Sequence, residues 1–325
     1  MSDGTRDFDI LVVGELNPDL VVSDDDPVPV FGEVERVVRS IHMTVGSSSA
    51  IFACGAARLG LRVAFVGIVG DDPFGRFMLD TLAARGIDVS ACAVDPNLPT
   101  GATVILTSGR GRAMLTSMGT IGVLNMADVP DKLLDRARHL HVGAYFLQGG
   151  DRVGLPVLFA RAHARGLTTS LDTNWDPPER WDDGIREMLQ ATDVFLPNAL
   201  EARRIAGRDD VADAAAELVR IGGNGRSDGG PIVVVKQGSG GAFAVGPGLP
   251  LTRVRAMPIE PLDTTGAGDS FDAGFLRAWL DQTSLDEALR LGAACGALST
   301  RSLGGVDGQA TLIEAHAELD HGSVP

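Results

Sequence analysis

The sequence predicts an α/β fold in which helices flank a doubly wound, mainly parallel sheet. Short apolar runs typical of buried strands alternate with helical patterns along most of the chain. The predicted strands are Ile10 to Gly14, Arg62 to Gly67, His139 to Ala144, Thr168 to Asp172, Asp193 to Pro197 and Pro231 to Lys236. Binding sites of such sheets lie beyond the carboxyl ends of the strands. We therefore expect functional side chains directly after these runs.

Length and charge limit the possible classes of protein. The 325 residues favour one large α/β domain with a smaller appended element. A net charge of −15 argues against a nucleic-acid surface, because phosphate binding relies on clustered basic residues. The polar, acidic start differs from a signal peptide, and no apolar run reaches the length of a membrane span. The three scattered cysteines suit a reducing compartment and no structural zinc, so we expect a cytoplasmic protein.

Two stretches interrupt the alternation of strands and helices. Leu16 to Thr44 contains the apolar segments Val28 to Phe31 and Val34 to Ile41, separated by acidic and proline breaks. Thr100 to Ser117 contains a second such region. Both stretches favour short β-hairpins, although a pair of ordinary surface loops is the alternative.

The most informative segment is Asp263-Thr-Thr-Gly-Ala-Gly-Asp269-Ser-Phe271, where an extended stretch turns into a helix. Helical spacing of apolar residues from Phe271 onward places Gly266 to Gly268 at the helix N-terminus, where backbone N–H groups lack helical partners. These donors and the positive end of the helix dipole favour an anion, with Asp269 beside it. The alternative is a tight turn followed by a first-turn capping aspartate.

Asp263 to Phe275 resembles the C-terminal signature of the ribokinase-like (PfkB) carbohydrate kinases. The resemblance implies a ribokinase-like fold and ATP-dependent transfer of a phosphoryl group to a hydroxyl of a small sugar or sugar-like molecule. It makes Asp269 the catalytic base, and Gly266, Ala267 and Gly268 the hole for the developing charge. Phosphoryl transfer needs positioning and charge neutralisation more than covalent help, so a carboxylate suffices as the base.

The same resemblance implies a domain arrangement. Residues 16–44 and 99–117 would form a small β-sheet lid, inserted in a kinase core of residues 1–15, 45–98 and 118–325. In this arrangement a homodimer can form through the lid.

Two segments resemble the family's acceptor site. Gly14-Glu-Leu-Asn17-Pro-Asp19 resembles the segment near the sugar, and Asp19 can accept hydrogen bonds from two vicinal hydroxyls. A simple turn is the alternative reading of this composition. Gly46-Ser47-Ser48-Ser49-Ala-Ile51 aligns with the family's Gly-Gly segment, but Ile51 stands where the family usually has asparagine. We expect this change to disfavour fully hydroxylated sugars such as ribose.

Three further segments resemble the family's phosphate and metal sites. Leu171-Asp172-Thr-Asn174 resembles a strand end near the transferred phosphate, with an ordinary turn as the alternative. Pro197-Asn198-Ala-Leu-Glu201 resembles the motif that holds Mg²⁺ through water, although a capped helix start would look the same. Asp263, with the segment from Ser299 to Gly305, corresponds to the family's monovalent-cation loop, which holds potassium.

The strand and loop from Val233 to Gly241 resemble the family's nucleotide-binding region. The predicted nucleotide contacts are Asn198, Lys236, Gly238, Gly241 and Thr265. Lys236 could neutralise the phosphates, or could simply extend its charged end from a strand terminus into water.

Three rival functions remain. A nucleoside kinase of the same family differs only in its acceptor. A catalytically silent sugar- or nucleotide-binding regulator is disfavoured by the intact Asp269 and glycine turn. A dehydrogenase is disfavoured because no Gly-x-Gly-x-x-Gly follows the first strand.

Overall fold

The computed structural model describes residues 6–108, 111–149 and 152–321. Its strands are β1 (Phe8–Val13), β2 (Pro18–Ser23), β3 (Ser40–Val45), β4 (Val63–Val66), β5 (Ile68–Gly70), β6 (Ala93–Asp95), β7 (Ala102–Ser108), β8 (Gly111–Ser117), β9 (Ala137–Val142), β10 (Thr168–Leu171), β11 (Val194–Phe195), β12 (Ile232–Lys236), β13 (Ala242–Gly246) and β14 (Leu249–Val254). Its α-helices are α1 (Ser48–Arg58), α2 (Pro73–Ala84), α3 (Asp131–Leu134), α4 (Gly154–His163), α5 (Ile185–Leu189), α6 (Ala199–Ala206), α7 (Val211–Gly222), α8 (Ala267–Leu280), α9 (Leu285–Ser299) and α10 (Leu312–His321).

A mainly parallel sheet forms the centre of the molecule, as predicted. Within the described residues its strand order is β14-β13-β12-β11-β10-β9-β1-β4. The strands from β12 to β4 pair in parallel, and β13 and β14 add an antiparallel edge. Val13 and Leu171 both pair with Val142, so β1, β9 and β10 end at the same level. The segments that follow these strands therefore meet at one edge of the sheet.

Two hydrophobic layers cover the central sheet, one on each face. Strand β1 contributes to both, because Ile10 and Val12 pack into one layer and Leu11 and Val13 into the other. The first layer includes buried residues of α1, α8 and α9, and the second includes those of α4 and α7. Helix α8, which carries Asp269, is thus fixed against the sheet by its buried face.

A separate small sheet has the strand order β3-β2-β7-β8 among the described residues. These strands fall in the two segments predicted to form the lid. The prediction was wrong for Val28 to Phe31 and for the first part of Val34 to Ile41, since strand β3 begins only at Ser40. Phe31 is 99% exposed, so its apolar side chain has no sheet to pack against.

The predicted core and lid ranges also include residues whose structure is not described. These are residues 1–5, 109–110, 150–151 and 322–325. In the described part of the chain, no helix combines the length and apolar character needed to cross a membrane.

Candidate active site

A cavity of about 480 Å³ lies at the carboxyl end of the parallel strands and at the start of α8. It brings together many of the predicted residues from distant parts of the sequence. Those that line it are Ser48, Asp172, Asn174, Asn198, Glu201, Lys236, Gly238, Gly241, Ala267, Gly268 and Asp269. The other predicted residues lie outside its described wall: Asn17, Asp19, Gly46, Ser47, Ile51, Asp263, Thr265 and Gly266.

The glycine turn lies at the N-terminus of α8. Gly266 is the N-cap residue of α8 and has φ +71°, a left-handed conformation that favours glycine. Within the described chain, no side chain caps this end of the helix. A Cβ atom on Gly266 would lie 2.8 Å from Ile51 Cγ2 and from Gly305 Cα. Both the backbone conformation and the available space therefore require glycine.

Asp269 lies one turn into α8 and lines the cavity. Burial raises the pKa of its carboxyl group well above the usual range, and the nearby charge of Asp172 raises it further. The Lys236 ammonium and a hydrogen bond with Ser48 act in the opposite direction. A carboxyl group with a raised pKa is a stronger base once it is ionised, which suits a role as proton acceptor.

Lys236, at the end of β12, bridges two carboxyl groups. Its Nζ donates to Asp172 Oδ2 at 2.5 Å and to Asp272 Oδ2 at 2.7 Å. Burial alone would lower the pKa of Lys236, but the charges of Asp172 and Asp272 raise it, so the side chain stays protonated. The buried ion pair rules out the alternative of a lysine that merely extends into water. Asp272 was not among the predicted site residues.

Asn198 and Glu201 form a capping box at the start of α6. Asn198 Oδ1 accepts from the Glu201 N–H at 3.0 Å, and Glu201 Oε2 accepts from the Asn198 N–H at 2.8 Å. Both residues therefore cap the helix, as the alternative reading of the sequence expected, and both also line the cavity. Burial, with the charge of Asp172, raises the pKa of Glu201 to about 7.

The oxygen atoms at this wall suit a hard cation that keeps its water shell. Asp172, Asn198 and Glu201 present carboxylate and amide oxygens, which Mg²⁺ prefers. Among the described residues, no group of three His, Cys, Asp or Glu side chains could hold a metal ion directly.

The predicted acceptor residues form a second group beside the cavity. Asp19 on β2 lies against Gly46, since a Cβ atom there would come within 2.2 Å of Asp19 Oδ1. Burial raises the pKa of Asp19 to about 7, although the charge of Arg112 opposes the shift. The Ser47 hydroxyl caps α1 by accepting from the Ala50 N–H at 3.0 Å. Ser48, which accepts from Asn174 Nδ2 at 3.5 Å, connects this group to the cavity.

Asp263 ties the glycine turn to the loop that follows α9. Its Oδ1 accepts from the Thr265 N–H and its Oδ2 from the Gly304 N–H, both at 2.9 Å. Burial opposes ionisation, but these two hydrogen bonds lower the pKa, so Asp263 remains charged. A charged carboxylate between two loops is suited to a monovalent cation, although protein donors already engage both of its oxygens.

Arg112, on strand β8 of the small sheet, also reaches this turn. Its guanidinium donates to Thr264 Oγ1 at 3.0 Å, hydrogen-bonds Thr265 Oγ1 and lies 3.5 Å from Asp263 Oδ1. Thr265, expected to contact the nucleotide, therefore uses its hydroxyl within the protein, whereas Thr264 lines the cavity. Arg112 could not be predicted from local sequence, because its partners lie about 150 residues away along the chain.

Ile51 has a packing role in the structure. Its side chain is 4% exposed and packs in the hydrophobic core. Ile51 lies directly beneath the turn, because Cβ atoms on Gly266 or Gly305 would come within 2.8 Å and 2.5 Å of it. Its apolar side chain therefore supports the glycine turn, and this packing does not support a direct contact with the acceptor.

The fold and this site define the class of protein, a phosphotransferase with a carboxylate beside a glycine turn. Comparison with known proteins agrees. The profile of the pfkB family carbohydrate kinases matches residues 7–311, so the chain belongs to the pfkB family of carbohydrate kinases.

Individual relatives and structures give the same result. A fructokinase from Klebsiella pneumoniae is 31% identical over 80% of this chain and 86% of its own length. A nucleoside kinase from Methanothermobacter thermautotrophicus is 28% identical over 89% of this chain and 88% of its own length.

Two solved structures show that the fold is shared. A candidate ribokinase II from E. coli, in complex with ATP and Mg²⁺, superposes with a TM-score of 0.84 at 24% identity, covering 97% of this chain and 99% of that one. A double mutant of a fructokinase from Vibrio cholerae O395, bound to fructose, ADP and a potassium ion, gives a TM-score of 0.79 at 24% identity. That comparison covers 97% of this chain and 99% of the fructokinase.

Proposed function

We propose that this enzyme transfers the γ-phosphoryl group of ATP to a hydroxyl of a small sugar or sugar-like molecule. The observation that carries the proposal is the position of Asp269 beside the uncapped glycine turn, on the wall of one cavity. Asp269 accepts the hydroxyl proton while the hydroxyl oxygen forms its bond to the γ-phosphorus. The bond from that phosphorus to the β-γ bridging oxygen breaks, and ADP leaves. N–H groups at Gly266 to Gly268 stabilise the charge of the transferring group.

The remaining cavity walls support ATP as the donor. Gly238 and Gly241 follow β12 with positive φ angles, so the backbone can approach a ribose or phosphate closely. Small and apolar side chains of the opposite wall leave room for a flat base; they include Ala256, Met257, Ile259, Ala293 and Ala297. Lys236 offers positive charge on the phosphate side. When bound, Mg²⁺ neutralises phosphate charge, and Asn198 and Glu201 would hold its waters.

The acceptor would bind beside Asp269, with Asn17, Asp19, Gly46, Ser47, Ser48, Asp172 and Asn174 as its proposed surroundings. Relatives include both a fructokinase and a nucleoside kinase, so a nucleoside acceptor is the second candidate. A turnover screen of pentoses, hexoses, their deoxy analogues and nucleosides with MgATP tests the proposal. Phosphorylation of a sugar supports it, and phosphorylation of nucleosides alone selects the second candidate. Nucleotide binding without turnover of any acceptor would indicate a silent regulator.

The requirement for ATP and the free cysteines Cys54, Cys92 and Cys295 support a cytoplasmic location.

Glu201→Gln should raise the magnesium concentration needed for half-maximal rate, because the amide attracts hydrated Mg²⁺ less strongly than a carboxylate does. We expect a shift of about tenfold, corresponding to roughly 1.4 kcal/mol, with little change in the acceptor KM. Titration of the initial rate with MgCl₂ measures it. Glu287→Gln is the matched control, since Glu287 forms the same type of capping box at the start of α9, away from the cavity. Equal magnesium dependence in the two variants would reduce Glu201 to a helix cap.

Potassium should raise the rate above that in sodium at constant ionic strength. The reason is that a monovalent cation near Asp263 would order the turn at Gly266 to Gly268, and the related fructokinase was solved with potassium bound. Asp263→Asn should abolish the difference between the two salts. Initial rates in potassium, sodium and tetramethylammonium chloride provide the measurement. The same rate in all three salts would remove the cation from the proposal.

The small sheet supports a homodimer formed through the lid. Strand register and the alternation of side chains place a set of apolar residues on one face. They are Leu20, Val22, Ile41, Val104, Leu106 and Leu115. Ile41 and Leu115 on this largely apolar face are 63% and 64% exposed. The opposite face carries Asp19, Thr103 and Arg112 toward the active site. An apolar sheet face turned to water is suited to a second copy of the same face.

Ile41→Glu should convert the dimer into a monomer, because it places a charge on the apolar face, on the edge strand β3. Met114→Glu is the control, since Met114 is 66% exposed but lies on the other face. Sedimentation velocity over a range of concentrations distinguishes the two species. A monomeric wild type, or a dimer unaffected by Ile41→Glu, would contradict this interface.

A further inference from the structure

Asp272 is a buried carboxyl group behind the active-site cavity that the proposed chemistry does not use. It lies on α8, three residues after Asp269, and is 1% exposed. Its Oδ2 accepts from Lys236 Nζ at 2.7 Å. Its Oδ1 has no hydrogen-bond partner among the described residues. Burying such a group costs several kcal/mol of folding free energy unless its interactions compensate, so this arrangement calls for an explanation.

The contact of Asp272 connects two elements of the active site. Lys236 belongs to the end of β12, below the proposed phosphate region, whereas Asp272 belongs to the helix that carries the catalytic base. Asp172, at the end of β10, holds the same ammonium from the cavity side at 2.5 Å. The lysine is therefore fixed between a carboxyl group on the cavity wall and one behind it.

This fixed position places the ammonium next to the glycine turn. A Cβ atom on Gly268 would lie 3.6 Å from Lys236 Nζ, and the lysine side chain is 11% exposed. A positive charge so close to the N–H groups of the turn would face the transferring phosphoryl group. Removing the Asp272 contact would leave the ammonium with only one of the two carboxyl groups that fix its position.

The charges of the cluster are compatible with that arrangement. Burial raises the pKa of Asp272 well above its usual range. The charge of Lys236 opposes this shift, and the charge of Asp172 adds to it. Although burial acts against ionisation of Asp172 too, Lys236 and Asp272 lower its pKa. Asp172 is therefore the more readily ionised of the two carboxyl groups, and Asp272 the less readily ionised. Glu201 and Asp269 are the other titratable groups that act on this cluster.

We propose that Asp272 is a positioning residue for phosphoryl transfer, which holds the Lys236 ammonium against the Gly268 side of the anion hole. This inference rests on the proposed kinase function. It assigns Asp272 no contact with substrate, since the residue acts through Lys236.

The test uses binding of MgADP with aluminium fluoride, a mimic of the transferring phosphoryl group, in addition to kcat. Asp272→Leu removes the acceptor for Lys236, and should lower kcat and the affinity for MgADP–aluminium fluoride by about tenfold or more, the scale of one charge-assisted hydrogen bond. Affinity for MgADP alone should change by less than about threefold. Asp272→Asn should stay within about threefold of wild type in both measurements, because its amide oxygen still accepts from Lys236.

Two further variants separate positioning from loss of stability. Asp9→Leu removes a carboxylate that pairs with Arg62 and Arg138 at the start of β1, away from the cavity, and should leave kcat unchanged. In a Lys236→Met background, Asp272→Leu should have no further effect, because the group through which it acts is absent. Thermal unfolding of each variant verifies that it is folded.

An Asp272→Leu variant with the kcat and the transition-state-mimic affinity of wild type would overturn the inference. Equal losses of kcat and of this affinity in the Asn and Leu variants would overturn it as well. Additive losses in the double variant would also overturn it. A wild-type protein that does not bind MgADP at all would instead contradict the proposed function, so the two failures are distinguishable.

Discussion

Replacing Asp269 with asparagine should lower kcat by about a hundredfold or more, the scale expected when a general base is lost. The amide keeps the size of the side chain but cannot accept the hydroxyl proton. Steady-state rates at saturating ATP and acceptor measure the loss. Asp213→Asn is the matched control, because Asp213 is also an acidic residue in the first turn of a helix, α7, but is exposed and outside the cavity. Near-normal turnover in Asp269→Asn would leave Asp269 as a helix-capping residue only.

The pH dependence of stability and activity gives an independent check. Because the pKa of Asp269 is raised in the folded protein, its contribution to stability is present at low pH and is lost as the pH rises through that pKa. Asp269→Asn should therefore match or exceed the Tm of wild type at pH 8. Wild-type kcat/KM should fall as the pH drops through the same pKa, since the protonated carboxyl group cannot act as a base. A large decrease in Tm at pH 8 would indicate a structural role instead.

Gly266→Ala should lower kcat by about a hundredfold, the scale for losing one donor of a charge-stabilising hole. The new Cβ atom would have to occupy a left-handed backbone position and would lie 2.8 Å from Ile51 Cγ2 and Gly305 Cα. The turn must shift to relieve this contact, so its N–H groups no longer point at the transferring phosphoryl group. Because the change acts on the transition state, kcat should fall much more than the KM for ATP rises.

Gly248→Ala is the control for backbone strain in this experiment. Gly248 has φ +67°, close to that of Gly266, but nothing lies within 4 Å of its Cβ position. It sits between β13 and β14, outside the described wall of the cavity. Equal and small effects of the two substitutions on kcat would show that the shape of the Gly266 turn is not important for transfer.

The sequence predicted the parallel part of the sheet because those strands are short apolar runs bounded by turn residues. Local composition misled the prediction at the lid. Val28 to Phe31 is apolar enough for a strand, but it pairs with no strand among the described residues, and Phe31 remains exposed. Whether an apolar segment pairs depends on tertiary structure, which a single window of sequence does not contain.

The same limit explains which site residues could be predicted. Asp269 and Gly266 lie in one continuous segment, so its residue types and its family resemblance together led to the prediction of an anion site there. Asp272 and Arg112 gain their roles only from partners that are distant along the chain, namely Lys236 for the first and Thr264 for the second. The packing of Ile51 was also not predictable from its local sequence. Its position in the alignment pointed to the acceptor, whereas its side chain packs under the glycine turn.

The most direct test of the proposed function follows the γ-phosphoryl group itself. Wild type and Asp269→Asn are each incubated with ATP labelled in the γ-phosphate, Mg²⁺ and the best acceptor found in the turnover screen. The proposed mechanism predicts that label appears on the acceptor in step with ADP formation, and that both fall by about a hundredfold in Asp269→Asn. Label released only as inorganic phosphate, or equal labelling of the acceptor by both proteins, would contradict it.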